Sequence, residues 1–441
     1  MKEHFLKICD NAFSSLRENE HLFSYLSAES SDFCRFNKGL IRQLGNVQQA
    51  YVYMSFISRQ RIMTKQFGFT FDVETDTKSI TDFIATSRNE IDGLPEDPYL
   101  TFSQIPVRES NSASGTSATK EIVTQVADLA RGSDFVGFLA NGTMMNGCKS
   151  SVGHELWNES AGHNLGWSIY AKEDKAIKGS YADAVWDSRK FSRLIEDNRR
   201  NVAILDRSAK KLAPGTYRVF LEPSAMWEII GLLCWGGFSY ARYKETQSPL
   251  RQLYDNHSHF SPLLTVSQKL GALPAVAPQF NHLGFTKKKA MNFIDKGRPG
   301  ELLVSPRSAK EYGVESNGAD SSESPVALVV EGGGLRQEEA LERLGTGIWI
   351  GNLWYLNFSD KKTCGATGMT RFGSFWVEDG KIVAPIEVMR FDDSMYETLG
   401  RNLEDLTQDV ATFYSDSTYS QRSRESIQVP GALISGLRFT L

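Results

Sequence analysis

Within the first 91 residues the spacing of apolar side chains switches from a helical period to a period of two and back again. That order most restricts the fold. Phe5, Cys9, Phe13 and Leu16 recur at helical spacing and predict an amphipathic N-terminal helix. Over residues 49–57 the period falls to two, with Ala50, Val52, Met54 and Phe56 on one face and Tyr51, Tyr53 and Ser55 on the other. A second alternating run sets Met63, Phe67, Phe69, Phe71 and Val73 against Thr64, Gln66, Thr70 and Asp72. Two consecutive alternating strands predict antiparallel pairing with one wet face. Ile80, Phe83, Ile84 and Ile91 restore the helical period, and Gly93-Leu94-Pro95 ends that helix.

Farther on, residues 110–117 are rich in Ser and Gly and read as a loop. Ile122, Val126, Leu129 and Ala130 mark a helix. Residues 135–140 read as a strand closed by the turn pair Asn141-Gly142. Residues 166–172 and 176–186 suggest two more strands, and Phe191, Leu194, Ile195, Val202 and Leu205 another helix. Ala213-Pro214-Gly215 then breaks the chain. Beyond it residues 217–221 form a short strand, and Pro223 opens a helix through Met226, Ile230 and Leu233. The remainder is mostly short strands, at 301–304, 326–330, 347–350, 373–377 and 381–386, with a polar loop at 317–325. No internal repeat is present. The mixed element order predicts an α+β protein. It divides into an N-terminal domain of helices and antiparallel sheet, residues 1–212, and a β-rich C-terminal domain, residues 213–441.

Charge and composition narrow the function. A formal net charge of -4 over 441 residues argues against a general nucleic-acid binder, which rests on clustered Lys and Arg, and leaves a local basic face open. No apolar run approaches the roughly 20 residues needed to span a bilayer, and Met1-Lys2-Glu3-His4 leads into no signal-type core. Five scattered cysteines without a C-x-x-C pair fit reduced thiols in a cytoplasmic protein.

Several short motifs invite a catalytic reading and fail it. Gly153-His154-Glu155 opens like a zinc-protease helix, but Asn158 stands where the second histidine belongs, so an exposed hairpin segment is expected. Glu159-Ser160-Ala161-Gly162 lacks the first glycine of a nucleophile elbow and runs into a strand rather than a helix. His257 and His259 would point to opposite faces of a strand, away from a shared metal with His282. Glu331-Gly332-Gly333-Gly334 sits between a strand and a helix expected from Gln337, but Gln337 replaces the third glycine of a dinucleotide fingerprint. A glycine-rich connection that turns the chain is the better reading. No other grouping of Ser, Cys, His and acid has diagnostic spacing.

Residues 347–353, Gly-Ile-Trp-Ile-Gly-Asn-Leu, followed by residues 373–386, Gly-Ser-Phe-Trp-Val-Glu-Asp-Gly-Lys-Ile-Val-Ala-Pro-Ile, resemble the closing strands of the TldD/PmbA family, once called modulators of DNA gyrase. Lys296-Gly297 with Gly300-Glu301-Leu302-Leu303, the stretch Ser308-Ala309-Lys310-Glu311-Tyr312-Gly313 and the N-terminal run through Leu94-Pro95-Glu96-Asp97-Pro98 are similar to the same family. The order of many loose matches, spread over most of the chain, carries the resemblance.

The resemblance implies one of two kinds of subunit. TldD-like chains carry H-E-x-x-x-H on a helix and a cysteine near the C-terminus, which together hold a metal; TldE/PmbA-like chains lack these ligands and pair with the first kind. Here the matching helix reads Ile229-Ile230-Gly231-Leu232-Leu233-Cys234-Trp235-Gly236-Gly237. Gly231 and Gly236 fall at the histidine places and Leu232 at the glutamate place. Cys364 is the last cysteine, well before the tail. A catalytic zinc needs about three protein ligands, an open water position and a base, and these residues supply neither ligand nor base. The expectation is therefore a non-catalytic, TldE/PmbA-like subunit with no catalytic residue, no metal and no cofactor of its own, zinc belonging only to a TldD-like partner. Gly231, Leu232, Trp235 and Gly236 are expected to border a cleft for unfolded or short peptides. Two rivals remain: a stand-alone homodimeric peptide-binding protein, and a metallopeptidase whose metal site has no recognisable motif. None of the three readings calls for a nucleic acid or a membrane.

Overall fold

The computed structural model describes residues 1–441 apart from 113–116, 173 and 272–276. Two sheets organise the chain. The first is built from β1 (His21–Asn37), β2 (Leu40–Ser58), β3 (Arg61–Gly68), β4 (Arg108–Ser112), β5 (Asp134–Ser150), β6 (Glu155–Tyr170) and β7 (Ala176–Asp183), in the order β3-β2-β1-β5-β6-β4 with β7 also on β6. All pairings are antiparallel except β4 with β6.

Four helices cover one face of this sheet: α1 (Lys2–Phe13), α2 (Val73–Glu90), α3 (Thr119–Ala130) and α4 (Ser188–Leu205). Phe5, Ile8, Cys9 and Ala12 of α1 and Ile80, Phe83 and Ile84 of α2 pack on Ala50, Val52, Met54 and Phe56, the face expected of that strand. α3 and α4 cover the other end through Ile122, Val126, Phe191 and Ile195. Caps set where the helices begin. Asp72 accepts the Thr75 amide at 2.8 Å, and Asp187 accepts those of Arg189 and Lys190 at 2.8 and 3.1 Å. The Asp72 cap ends the second alternating run early. β3 stops at Gly68, and Val73, expected in a strand, opens α2.

Four further expectations change. β1 lies beside β2 and β5 at the centre of the sheet, where no strand was expected. Asn141-Gly142 is not a turn: β5 runs through it for 17 residues, with Gly142 opposite Ser31 on one side and Gly162 on the other. The wet face expected of the two alternating runs is wet only in part, since Tyr53 is exposed while Ser55 beside it in β2 is buried. In the Ser/Gly-rich stretch β4 reaches Ser112, and residues 113–116 of the expected loop lie outside the described residues.

The second sheet begins with β8 (Gly215–Leu221), after which α5 (Pro223–Leu233), α6 (Tyr240–Lys244) and α7 (Arg251–Tyr254) follow. Next come β9 (Val266–Lys269), β10 (Ala290–Asp295), β11 (Arg298–Pro299), α8 (Pro306–Tyr312), β12 (Ala327–Val330), α9 (Ala340–Leu344) and β13 (Gly347–Asp360). The chain closes with β14 (Gly365–Glu378), β15 (Lys381–Pro385), β16 (Arg390–Ser394), β17 (Leu403–Tyr414) and β18 (Ser426–Phe439). Strand order is β11-β10-β9-β12-β18-β16-β14-β13-β8, with β15 on β14 and β17 on β18. The expected strand at 301–304 is reduced to a single bridge between Leu303 and Ser239. The largest core of the molecule lies between this sheet and α5. The fold class is α+β, as expected. All five cysteines are free thiols. Among the described residues no helix is long and apolar enough to cross a membrane.

Candidate functional site

α5 carries the positions that the family resemblance sets against the metal motif. Pro223 suits its first turn, since that amide needs no helical partner. Ala225, Met226, Ile229, Ile230 and Leu233 are buried in the core, which fixes the helix from below. The helix ends at Leu233, as its apolar spacing predicts, and four residues before Gly237, to which the resemblance carried it. Gly236 adopts φ +83°, a left-handed conformation that stops the helix, so Gly231 and Gly236 do not share a helical face.

Gly231, Leu232 and Trp235 line a cleft of about 430 Å³. Gly236 is not part of its wall and faces the side chain of Arg242, whose Cγ lies 3.3 Å from where a Cβ would stand. Trp235 is exposed, and Trp227 stacks on Phe413 at 4.9 Å between ring centres. Lys178, Glu228, Asp416 and Glu425 complete the polar part of the wall. Burial pushes the Glu228 carboxyl above the usual carboxylate range, against the opposing pull of Lys178, and burial does the same to Glu425. Among the described residues none of these three carboxylates has a cation within 4.0 Å.

This cleft continues into a second of about 660 Å³, which shares Lys178, Ser415 and Asp416 with it. A third of about 420 Å³ shares Arg35, Phe138 and Thr418 with the second. The three follow the segment 415–425, which links β17 to β18 and crosses the buried face of the N-terminal sheet. None of Lys178, Glu228, Asp416 and Glu425 belongs to a catalytic motif, so motif reading passes over them. The only signal in the sequence is an eleven-residue polar run between Tyr414 and Ser426.

The residues beside α5 do not fit a zinc ion. Gly231 and Leu232 present no donor atom, and burial pushes the Cys234 thiol up, which keeps it protonated and a poor ligand. Among the described residues no three His, Cys, Asp or Glu side chains are grouped to hold a metal.

The other motifs resolve as structural parts. His154 does lie at the link between β5 and β6, but it is buried rather than exposed, bonded to Ser150 Oγ at 2.7 Å and Ser103 Oγ at 3.0 Å. Ser160 sits within β6, with no helix after it. His257 and His259 lie after α7 in irregular chain rather than in a strand, and His259 Nε2 is 2.6 Å from Arg298 Nη1. Gly332 and Gly333 pass close to the carbonyls of Gln408 and Leu406, so the triple glycine serves close backbone approach.

Residues 214–441 match the family described as the PmbA/TldA metallopeptidase C-terminal domain. No curated protein sequence matches. Solved structures are similar over nearly the whole chain. A modulator of a DNA gyrase from Thermotoga maritima MSB8 aligns with a TM-score of 0.78 at 14% identity, over 99% of this chain and 100% of the other. TldE from Thermococcus kodakarensis aligns at 0.77 and 12% identity, over 99% and 100%. A modulator of DNA gyrase from Bacteroides thetaiotaomicron VPI-5482 aligns at 0.75 and 16% identity, over 100% and 98%. At these identities the likeness carries the fold.

Proposed function

Since the chain belongs to the PmbA/TldD metallopeptidase family, we propose that it is a non-catalytic subunit that presents a peptide cleft to a metal-bearing, TldD-like partner. The observation that carries this reading is the end of α5. The positions that the resemblance sets against the family's ligands are a glycine, a buried leucine and a left-handed glycine beyond the helix. No side chain there can hold a metal or move a proton to water. What remains is a groove with apolar and aromatic walls and a few charges, which suits an extended chain held without strict sequence choice. Zinc, in this reading, is supplied by the partner. Five free thiols support a cytoplasmic setting. The division into units at residues 1–212 and 213–441 is proposed on the same footing, each unit having its own sheet.

The test is reconstitution. The purified chain alone leaves a fluorogenic unfolded peptide intact. Added to a TldD-like chain from the same cell, it raises that chain's hydrolysis rate at least several-fold. Cleavage by this chain alone, or no change in the partner's rate despite a stable complex, would overturn the reading.

A further inference from the structure

The segment 415–425 reads Ser-Asp-Ser-Thr-Tyr-Ser-Gln-Arg-Ser-Arg-Glu and has no apolar reason to bury itself; its one aromatic, Tyr419, is 95% exposed. Yet Arg422 is only 6% exposed. Removing a guanidinium from water is costly unless its donors are met. Arg422 meets them with Ser31 Oγ at 3.4 Å and the carbonyls of Gly142 and Gly162 at 3.5 and 3.1 Å. Arg424 Nη2 donates to the carbonyls of Ala28 and Met145 at 3.3 and 3.4 Å. Gln421 exchanges two bonds with Ser27, and Gln49 Nε2 donates to the Ser420 carbonyl at 2.7 Å. An extended segment is thus held by the backbone and short polar side chains of a sheet.

The surface beneath it is polar by construction. Register sets Ser27 opposite Asn146 and Asn146 opposite Asn158, one row across β1, β5 and β6. Glu29, 1% exposed, supplies a negative charge and accepts from Gln49 and Ser31. Both amide atoms of Asn158, Oδ1 of Asn146 and Oγ of Ser160 have no hydrogen-bond partner, and each residue is at most 2% exposed. Arg424 Nε is unpartnered as well. Folded chains rarely leave several such groups in one place. A surface made to bond to more than one occupant accounts for them.

We propose that this face of the N-terminal sheet is a binding site for extended peptides carrying arginine, and that residues 415–425 are its intramolecular occupant. The clefts of about 660 and 420 Å³ are each lined by both the segment and the sheet, so an incoming chain can enter beside the segment and then compete with it for the sheet. The inference deepens the peptide-cleft reading and rests on it for the class of ligand.

The test replaces residues 415–425 by a Gly/Ser linker of equal length and titrates a fluorescein-labelled peptide of the native 415–425 sequence, followed by anisotropy. The linker variant is expected to bind it at least 10-fold more tightly than the wild-type chain does. A peptide with alanine for both arginines is expected to lose at least 10-fold. A folded linker variant that binds neither peptide, or both equally, overturns the proposal. If the linker variant does not fold, the full chain with Arg422→Ala and Arg424→Ala is used. Hydrogen exchange over 415–425 is then expected to speed at least 10-fold and the native peptide to bind, and unchanged protection overturns the proposal. Failure here with partner stimulation intact leaves the subunit role standing, whereas loss of stimulation with arginine-dependent binding intact removes the subunit role alone.

Discussion

A Cβ on Gly142 would fall on the carbonyl oxygen of Ser30, in the strand beside it. Gly142 also has φ +147°, a conformation that side-chain-bearing residues rarely adopt. Both effects act at the centre of the sheet, where β1, β5 and β6 run side by side. Gly142→Val should therefore cost more than about 3 kcal/mol, since backbone rather than a flexible side chain must move. The urea midpoint reads it. An unfolding free energy within about 0.5 kcal/mol of the wild type would mean that the strands separate freely there.

The same glycine marks where sequence reading fails. Asn-Gly favours positive φ, and a hairpin turn is the commonest use of that preference. A long strand pressed against its neighbour uses it too, and periodicity cannot separate the two. β1 was missed because its two faces meet different partners. Leu22 and Leu26 face helices while Ser27, Glu29 and Ser31 face the polar segment, so apolar alternation fades along it. The helices were legible because each keeps one apolar stripe, and two begin at an aspartate cap. At α5 the apolar spacing reaches Leu233, where the helix ends, and it is the resemblance that carried the helix on to Gly237, past the left-handed Gly236. The cleft walls at Gly231, Leu232 and Trp235 were reached through family resemblance. Lys178 and the segment 415–425 come to the same place from distant parts of the chain, and the polar run of the segment is their only local signal.

His163 is fully buried, its ring 4.9 Å from that of Tyr181 and 5.0 Å from that of Trp186, with neither nitrogen bonded. Burial, aided by the charges of Arg422 and Lys190, pushes it down to about 3. The unfolded imidazole takes up its proton near pH 6.5. The folded state does not, so its stability is full above about 6.5 and falls as the pH drops from there towards 3. His163→Phe keeps the ring contacts and removes the titration. Between pH 7 and pH 5 the wild type should lose about 2 kcal/mol that the variant retains. Urea midpoints at the two values measure this, and parallel losses would show that His163 is not responsible.

Phe5 fills space that Gly147 leaves open. A Cβ on Gly147 would stand 2.8 Å from Phe5 Cε1. Phe5 is wholly buried and joins α1 to β5. Phe5→Ala should cost roughly 3–5 kcal/mol through lost burial and the cavity that follows. A thermal midpoint near the wild-type value would mean that α1 adds little to the sheet.

Duplex DNA should bind more weakly than about 1 µM at about 150 mM salt, because a net charge of -4 removes the electrostatic basis of non-specific affinity. A sub-micromolar affinity that falls steeply with added salt would contradict this and point to a direct role on DNA. Electrophoretic shift at two salt concentrations distinguishes the cases.

Rebuilding the family's metal motif should fail. The wild-type chain is expected to purify with less than about 0.1 zinc per subunit, because the matching positions offer no ligand. In the variant carrying Gly231→His, Leu232→Glu and Gly236→His, the first histidine has room, since nothing lies within 4 Å of its Cβ position. The glutamate replaces a leucine that is 2% exposed and puts a carboxylate into the apolar side of α5. That burial should cost several kcal/mol. The second histidine falls beyond the end of the helix, at φ +83°, where a side chain adds strain and points towards Arg242 rather than residue 231. A third ligand is missing as well, because Cys364, the last cysteine, is buried in the core beneath the C-terminal sheet. The variant is therefore expected to unfold at lower temperature, to bind zinc substoichiometrically and to leave unfolded peptides intact. Metal content by atomic absorption and peptide hydrolysis measured without a partner decide it. One bound zinc per chain together with hydrolysis would mean that the remaining parts of a catalytic centre are already present, and the assignment as a non-catalytic subunit would be wrong.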